Sequence, residues 1–98
     1  MAKPFRVEIV AVEQRVWSGE AETLVARTTE GELAVLTGHA PLLGQLKEPS
    51  RVRVRTGTEQ LAWDIAGGFI SVADDLVTIL AESAEPAHGE DPAQALIH

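Results

Sequence analysis

Arg51-Val52-Arg53-Val54-Arg55 runs through Thr56-Gly57-Thr58 into Leu61-Ala62-Trp63-Asp64-Ile65, and these two runs decide the fold class. Strict alternation puts both valines on one face of a pleated strand and all three arginines on the other. The second run repeats the device, with Leu61, Trp63 and Ile65 on one face and Ala62 and Asp64 opposite. Working outward, Phe5, Val7, Ile9 and Ala11 alternate with Arg6, Glu8, Val10 and Val12. Further strands are predicted over Thr23–Thr28, Glu32–Leu36, Gly68–Ala73 and Leu76–Glu82. Glu30-Gly31 and Asp74-Asp75 each separate two such runs by two residues, the spacing of tight hairpins. Gly67-Gly68 sits between two apolar runs, where a bend or bulge is expected. Short strands with regular turn signals predict an all-β fold, a sandwich or barrel.

Composition agrees. At 98 residues, 45% hydrophobic and 23% charged, the chain suits one globular domain with one core. A β domain over 1–85 is expected, followed by a tail over 86–98. In that tail Asp91 has the chemistry of an N-cap and Pro92 that of a first helical residue. Too few residues follow for a helix that stands alone, so the tail is expected to be mobile, partly helical or taken up by a partner.

The net charge of −7 argues against sequence-independent nucleic-acid binding, which needs a basic field. The longest uncharged run, Leu33 to Leu46, is broken by Thr37, Gly38, Pro41 and Gly44, and a spanning helix needs about 20 apolar residues. Met1-Ala2-Lys3-Pro4 leads straight into alternating charge rather than into a signal-type apolar run. The expectation is a cytoplasmic protein, at most peripheral to a membrane.

Catalytic signatures are missing. The sequence has no cysteine, no phosphate loop, no dinucleotide fingerprint, no HExxH and no GxSxG. His39, His88 and His98 have no metal-ligand spacing. The carboxylate pairs Glu20/Glu22, Glu30/Glu32 and Asp74/Asp75 read as solvated edge and turn residues. Arg51, Arg53 and Arg55 invite a phosphate-binding reading, but no glycine-rich nest accompanies them. A solvated face balanced by carboxylates on a neighbouring strand is the better account. Trp63 falls on a core face, whereas Trp17 is assigned to core or interface. No enzyme activity, cofactor or metal is called for.

One stretch stands apart: Gly31-Glu32-Leu33-Ala34-Val35-Leu36-Thr37-Gly38-His39-Ala40-Pro41-Leu42, followed by Leu43. It resembles the GELGxLPGHxPL stretch of the epsilon subunit of bacterial F-type ATP synthase (the mitochondrial delta subunit). Three further pieces match in order. Val7–Ala21 resembles that family's opening strand with its Ser-Gly turn, Ile65–Val72 its double-glycine strand, and Val77–Glu85 its last strand. Within the key loop Ala34 stands where the family has glycine and Thr37 where it has proline, which gives the turn more freedom. The family usually continues into two antiparallel helices. Ser83 to His98 is too short for that pair, so regulation through those helices, and the nucleotide site some members carry there, is not transferred.

The resemblance implies an antiparallel β-sandwich of about ten short strands. It implies a non-catalytic rotor component of the central stalk, bound to the gamma subunit and to the polar loops of the c-ring. Proton transport would then be coupled to ATP synthesis from the cytoplasmic face of the bacterial plasma membrane, without insertion into it. Glu32, Gly38, His39, Leu42 and Leu43 are the expected partner-contact residues. Leu42 and Leu43 are consecutive, so both cannot face inward on a regular strand. The alternative is a free-standing sandwich that binds a peptide or sugar.

Overall fold

The computed structural model describes residues 4–12 and 14–87; the predicted helix start at Asp91-Pro92 lies outside them. Among the described residues there are eight strands rather than about ten: β1 (Phe5–Ala11), β2 (Gln14–Ala21), β3 (Thr23–Thr28), β4 (Gly31–Val35), β5 (Leu42–Gln45), β6 (Ser50–Arg55), β7 (Gln60–Ala73) and β8 (Leu76–Pro86). Among the described residues there is no helix. The strands follow the order β2-β1-β8-β7-β6-β3-β4, with β5 also on β7. The β1–β8 pairing is parallel; these are the first and last strands, so no short hairpin dictates their relative direction.

The alternation in β6 is realised in full. Val52 and Val54 are buried while Arg51, Arg53 and Arg55 are exposed. The same rule sends Val7 and Ile9, Leu24 and Ala26, and Val77 and Ile79 into the core. Ser50, the buried polar residue, donates its hydroxyl to the Arg27 carbonyl at 2.9 Å, so it carries no desolvation penalty for an unpaired group.

The long strands β7 and β8 fold the sheet into two layers. The first half of β7 pairs with β6 through Gln60–Ile65, and its second half pairs with β5 through Phe69–Val72. β8 stays in one register with β7 throughout, while its first half also takes β1. Where β7 changes partner, the inward set moves from Trp63 and Ile65 to Ile70 and Val72. Gly67 and Gly68 make that change, at φ 65° and 141°. A Cβ on Gly68 would lie 2.1 Å from the Leu80 carbonyl oxygen, so a side chain cannot be accommodated there. The predicted bend is therefore present. The two runs read separately on either side of it, Leu61–Ile65 and Gly68–Ala73, form one bent strand. The main-chain bonds Leu46 N–H to Gly68 O (2.9 Å) and Lys47 N–H to Arg27 O (3.0 Å) stitch this corner to the end of β3.

Trp17 on β2 and Trp63 on β7 meet with ring centroids 5.4 Å apart, although two strands separate theirs in the sheet order. That contact crosses the sandwich interior. It also corrects the reading of Ser18-Gly19 as a turn. Both residues lie within β2, opposite Glu8 and Val7. Gly19 is small because the Trp17 ring lies over it, 2.7 Å from where a Cβ would stand. Ser18 Oγ accepts a hydrogen bond from Arg6 Nη2 at 2.7 Å.

Candidate partner interface

After β4 the chain turns at Gly38, in the left-handed region at φ 85°. The His39 N–H donates to the Leu36 carbonyl at 3.1 Å, which closes the turn. The His39 Nδ1 lies 2.7 Å from the Ala40 carbonyl oxygen. A carbonyl oxygen only accepts, so Nδ1 is the donor in this contact. The loop is fastened from a distance as well: Gly38 N–H donates to Asp75 Oδ1 at 3.1 Å. It therefore rests against the β7–β8 hairpin.

The loop leads into β5, where the two leucines part. Leu42 is half-buried and packs against the core, whereas Leu43 is 75% exposed. Leu43 belongs to a larger apolar surface. Leu80 stands opposite Val10 on one side and opposite Phe69 on the other. Phe69 in turn faces Gln45 on β5, and Leu43 lies two residues along. Leu80 is 53% and Phe69 49% exposed. Cross-strand and diagonal neighbours in such a sheet are about 5–8 Å apart, so Val10, Leu80, Phe69 and Leu43 form one apolar strip. Arg6, Glu8 and Ser18 form a polar border beside it. Phe69 and Leu80 were not among the predicted residues. The signal was present, since Ile79-Leu80-Ala81 and Phe69-Ile70 are consecutive apolar residues in strands.

Glu32 lies elsewhere. It pairs opposite Arg27 at the start of β4, beside the Thr29-Glu30 turn, while His39 lies beyond the end of that strand. The structure does not bring the two side chains together. Glu32 lies across a hollow of about 480 Å³ from Leu42, Leu43 and Gln45, which links it to the β5 end of the apolar strip. On its other side it borders the arginine face. There Arg51 forms a two-point ion pair with Asp64, at 2.8 Å and 3.3 Å. Both partners are solvated, so the pair contributes about 0–1 kcal/mol. Carboxylates on neighbouring strands thus flank the arginines of this face, Asp64 opposite Arg51 and Glu32 opposite Arg27.

Among the described residues, no three His, Asp or Glu side chains converge as a metal site. No helix among them is long and apolar enough to cross a membrane.

Comparison with known proteins is consistent along the whole fold. The family model of the ATP synthase Delta/Epsilon chain beta-sandwich domain matches residues 4–87. An ATP synthase epsilon chain of Frankia casuarinae is 55% identical over 82 residues, covering 84% of this chain and 96% of the relative. The epsilon chain of Mycobacterium avium is 54% identical over 80 residues, covering 81% and 66%. Among solved structures, a chain of the Euglena gracilis mitochondrial ATP synthase assembly of OSCP, F1 and c-ring superposes with TM-score 0.81 at 26% identity, covering 96% of this chain and 59% of that one. A chain of the Tetrahymena thermophila mitochondrial ATP synthase central stalk and c-ring assembly shares the fold, with TM-score 0.73 at 15% identity and coverage of 95% and 74%.

Proposed function

The chain belongs to the ATP synthase delta/epsilon chain family, and from that premise we propose that it is a non-catalytic rotor subunit of a proton-translocating F-type ATP synthase. It joins the gamma subunit to the polar loops of the c-ring and passes rotation between them, peripheral to the membrane at its cytoplasmic face. The observation that carries this reading is the family match itself, which spans every strand of the sandwich. A free-standing binding module loses its support on the same ground.

The geometry supports the reading in two ways. First, a sandwich packed around fully buried residues such as Ile9, Leu24, Ile65 and Ile79 resists shear, because its interior has the density of an organic crystal. Second, the apolar strip suits a protein partner. A standard interface takes about 800 Å² from each side, a modest part of the 6137 Å² that the whole chain exposes. Covering the exposed parts of Leu43, Phe69 and Leu80 contributes about 1 kcal/mol each.

We assign the strip, with Leu43 exposed and Leu42 supporting it from below, to gamma. Glu32 and the Gly38-His39 turn are assigned to the c-ring loops or the junction between ring and gamma. Co-expression with gamma followed by size exclusion is expected to give a stable complex. In rebuilt membranes, ATP-driven proton pumping is expected to fall in Glu32→Lys and in His39→Ala, and only slightly in Glu32→Gln. Normal pumping in both Glu32→Lys and His39→Ala, at normal assembly, removes both positions from the rotor contact.

A further inference from the structure

The β7–β8 turn is made by Asp74 and Asp75, both at positive φ, 51° and 62°. A two-residue hairpin with both central residues left-handed is a type I′ turn, for which Asn-Gly or Asp-Gly is the favoured pair. Glycine takes the second position without strain, whereas residues with a Cβ take it at a cost that is smallest for Asn and Asp. An aspartate there is a local cost, and its side chain shows what is gained. Asp75 Oδ1 accepts the Gly38 N–H at 3.1 Å across 37 positions of sequence. Its own carbonyl accepts the Arg6 N–H at 2.9 Å. One residue thus ties the start of β1 and the loop after β4 to the same hairpin tip.

The loop being held has threonine at position 37, so the backbone just before Gly38 has no ring-fixed φ. A carboxylate acceptor makes a stronger hydrogen bond than a neutral one, and here it is aimed at the next residue. The His39 N–H to Leu36 bond closes the turn on itself but does not fix the turn relative to the sandwich. The bond to Asp75 is a tie that does reach the sandwich.

We infer that Asp75 is a positioning residue: it locks the 36–41 loop to the β7–β8 hairpin, so that the His39 ring meets its partner already placed. This rests on the reading of that loop as a rotor contact. A preformed loop forfeits less ordering entropy on binding, so its loss should appear as weaker coupling without a weaker fold.

The test uses Asp75→Gly, which suits the turn and removes the acceptor, and Asp75→Asn, which keeps a side-chain oxygen and tolerates the same φ. In the 98-residue chain, amide exchange at Gly38 is expected to accelerate about tenfold in Asp75→Gly. It should stay near wild type in Asp75→Asn, with the Val72 and Val77 amides unchanged in both. Equal Gly38 exchange in all three proteins overturns the tie. In rebuilt membranes, Asp75→Gly is expected to lower ATP-driven pumping and Asp75→Asn to restore it. Combined with His39→Ala, Asp75→Gly should lower pumping no further than His39→Ala alone. Full pumping in Asp75→Gly where His39→Ala is impaired overturns the positioning role. Full pumping in His39→Ala itself overturns the contact reading instead, while the exchange result still decides whether the tie exists.

Discussion

The two outer faces of the sandwich are built by the same period-two rule and come out opposite in character. Over β1, β8, β7 and β5 the outward positions include Val10, Leu80, Phe69 and Leu43, an apolar strip with a polar border. Over β4, β3, β6 and β7 they include the oppositely charged cross-strand pairs Glu32 with Arg27 and Asp64 with Arg51. The arginine face carries its counter-charges on adjacent strands and is satisfied by water and by itself. The apolar face has no such internal partner and gains only by being covered. In a chain of net charge −7, the conspicuous arginines are thus flanked by counter-charge, and the quiet hydrophobic positions are the ones proposed above to meet another protein.

The corner joining the two faces is the place to break the comparison altogether. Gly68→Ala puts a Cβ 2.1 Å from the Leu80 carbonyl oxygen at φ 141°. It is expected to cost about 3 kcal/mol or more, seen as a lowered midpoint in urea unfolding. A midpoint within experimental error of wild type would mean that β7 does not bend there.

A smaller effect sharpens the apolar side. Leu42→Asp places a charge against the core and is expected to destabilise by about 2–3 kcal/mol. Leu43→Asp, at a position 75% exposed, should stay within about 0.5 kcal/mol of wild type. Equal losses would show that β5 presents its two leucines differently.

The smallest effect belongs to the charged side. A double-mutant cycle on Arg51→Ala and Asp64→Ala is expected to return a coupling of about 0–1 kcal/mol, with gamma binding unaffected. A coupling well above that would make this face a structural network rather than a solvated one.

How much of this was legible depends on whether a residue's environment is set locally. Arg51 to Arg55 could be read residue by residue, because alternation alone decides which side chains go in. The Asp74-Asp75 hairpin was legible for the same reason, whereas the β3–β4 hairpin was read one residue late: its turn is Thr29-Glu30, and Gly31 already pairs opposite Thr28 in β4. The bend at Gly67-Gly68 was legible as punctuation. What it does was not, since the shift of the inward set from Ile65 to Ile70 becomes visible only when both neighbours of β7 are known. Ser18-Gly19 looked like a turn because glycine usually marks one; its real role is to make room for the Trp17 ring on its way to Trp63. Leu43 was found by the argument that two adjacent leucines cannot both be buried. The same argument applied to Ile79-Leu80-Ala81 would have found Leu80. Which strands place Leu80 beside Phe69 and Val10 is a matter of long-range pairing that no local pattern carries. The tie between Asp75 and Gly38 is of that kind too.

The central claim is that gamma reads the apolar face and not the arginine face. Its most direct measurement is the dissociation constant for gamma of two folded double variants, Phe69→Asp with Leu80→Asp and Arg51→Glu with Arg53→Glu, each checked for an unchanged β-type circular dichroism spectrum. The account predicts that the first weakens binding about a hundredfold or more, as expected for charges placed at the centre of an interface, while the second stays within about threefold of wild type. Undiminished binding by the first variant, or a comparable loss in the second, would contradict it.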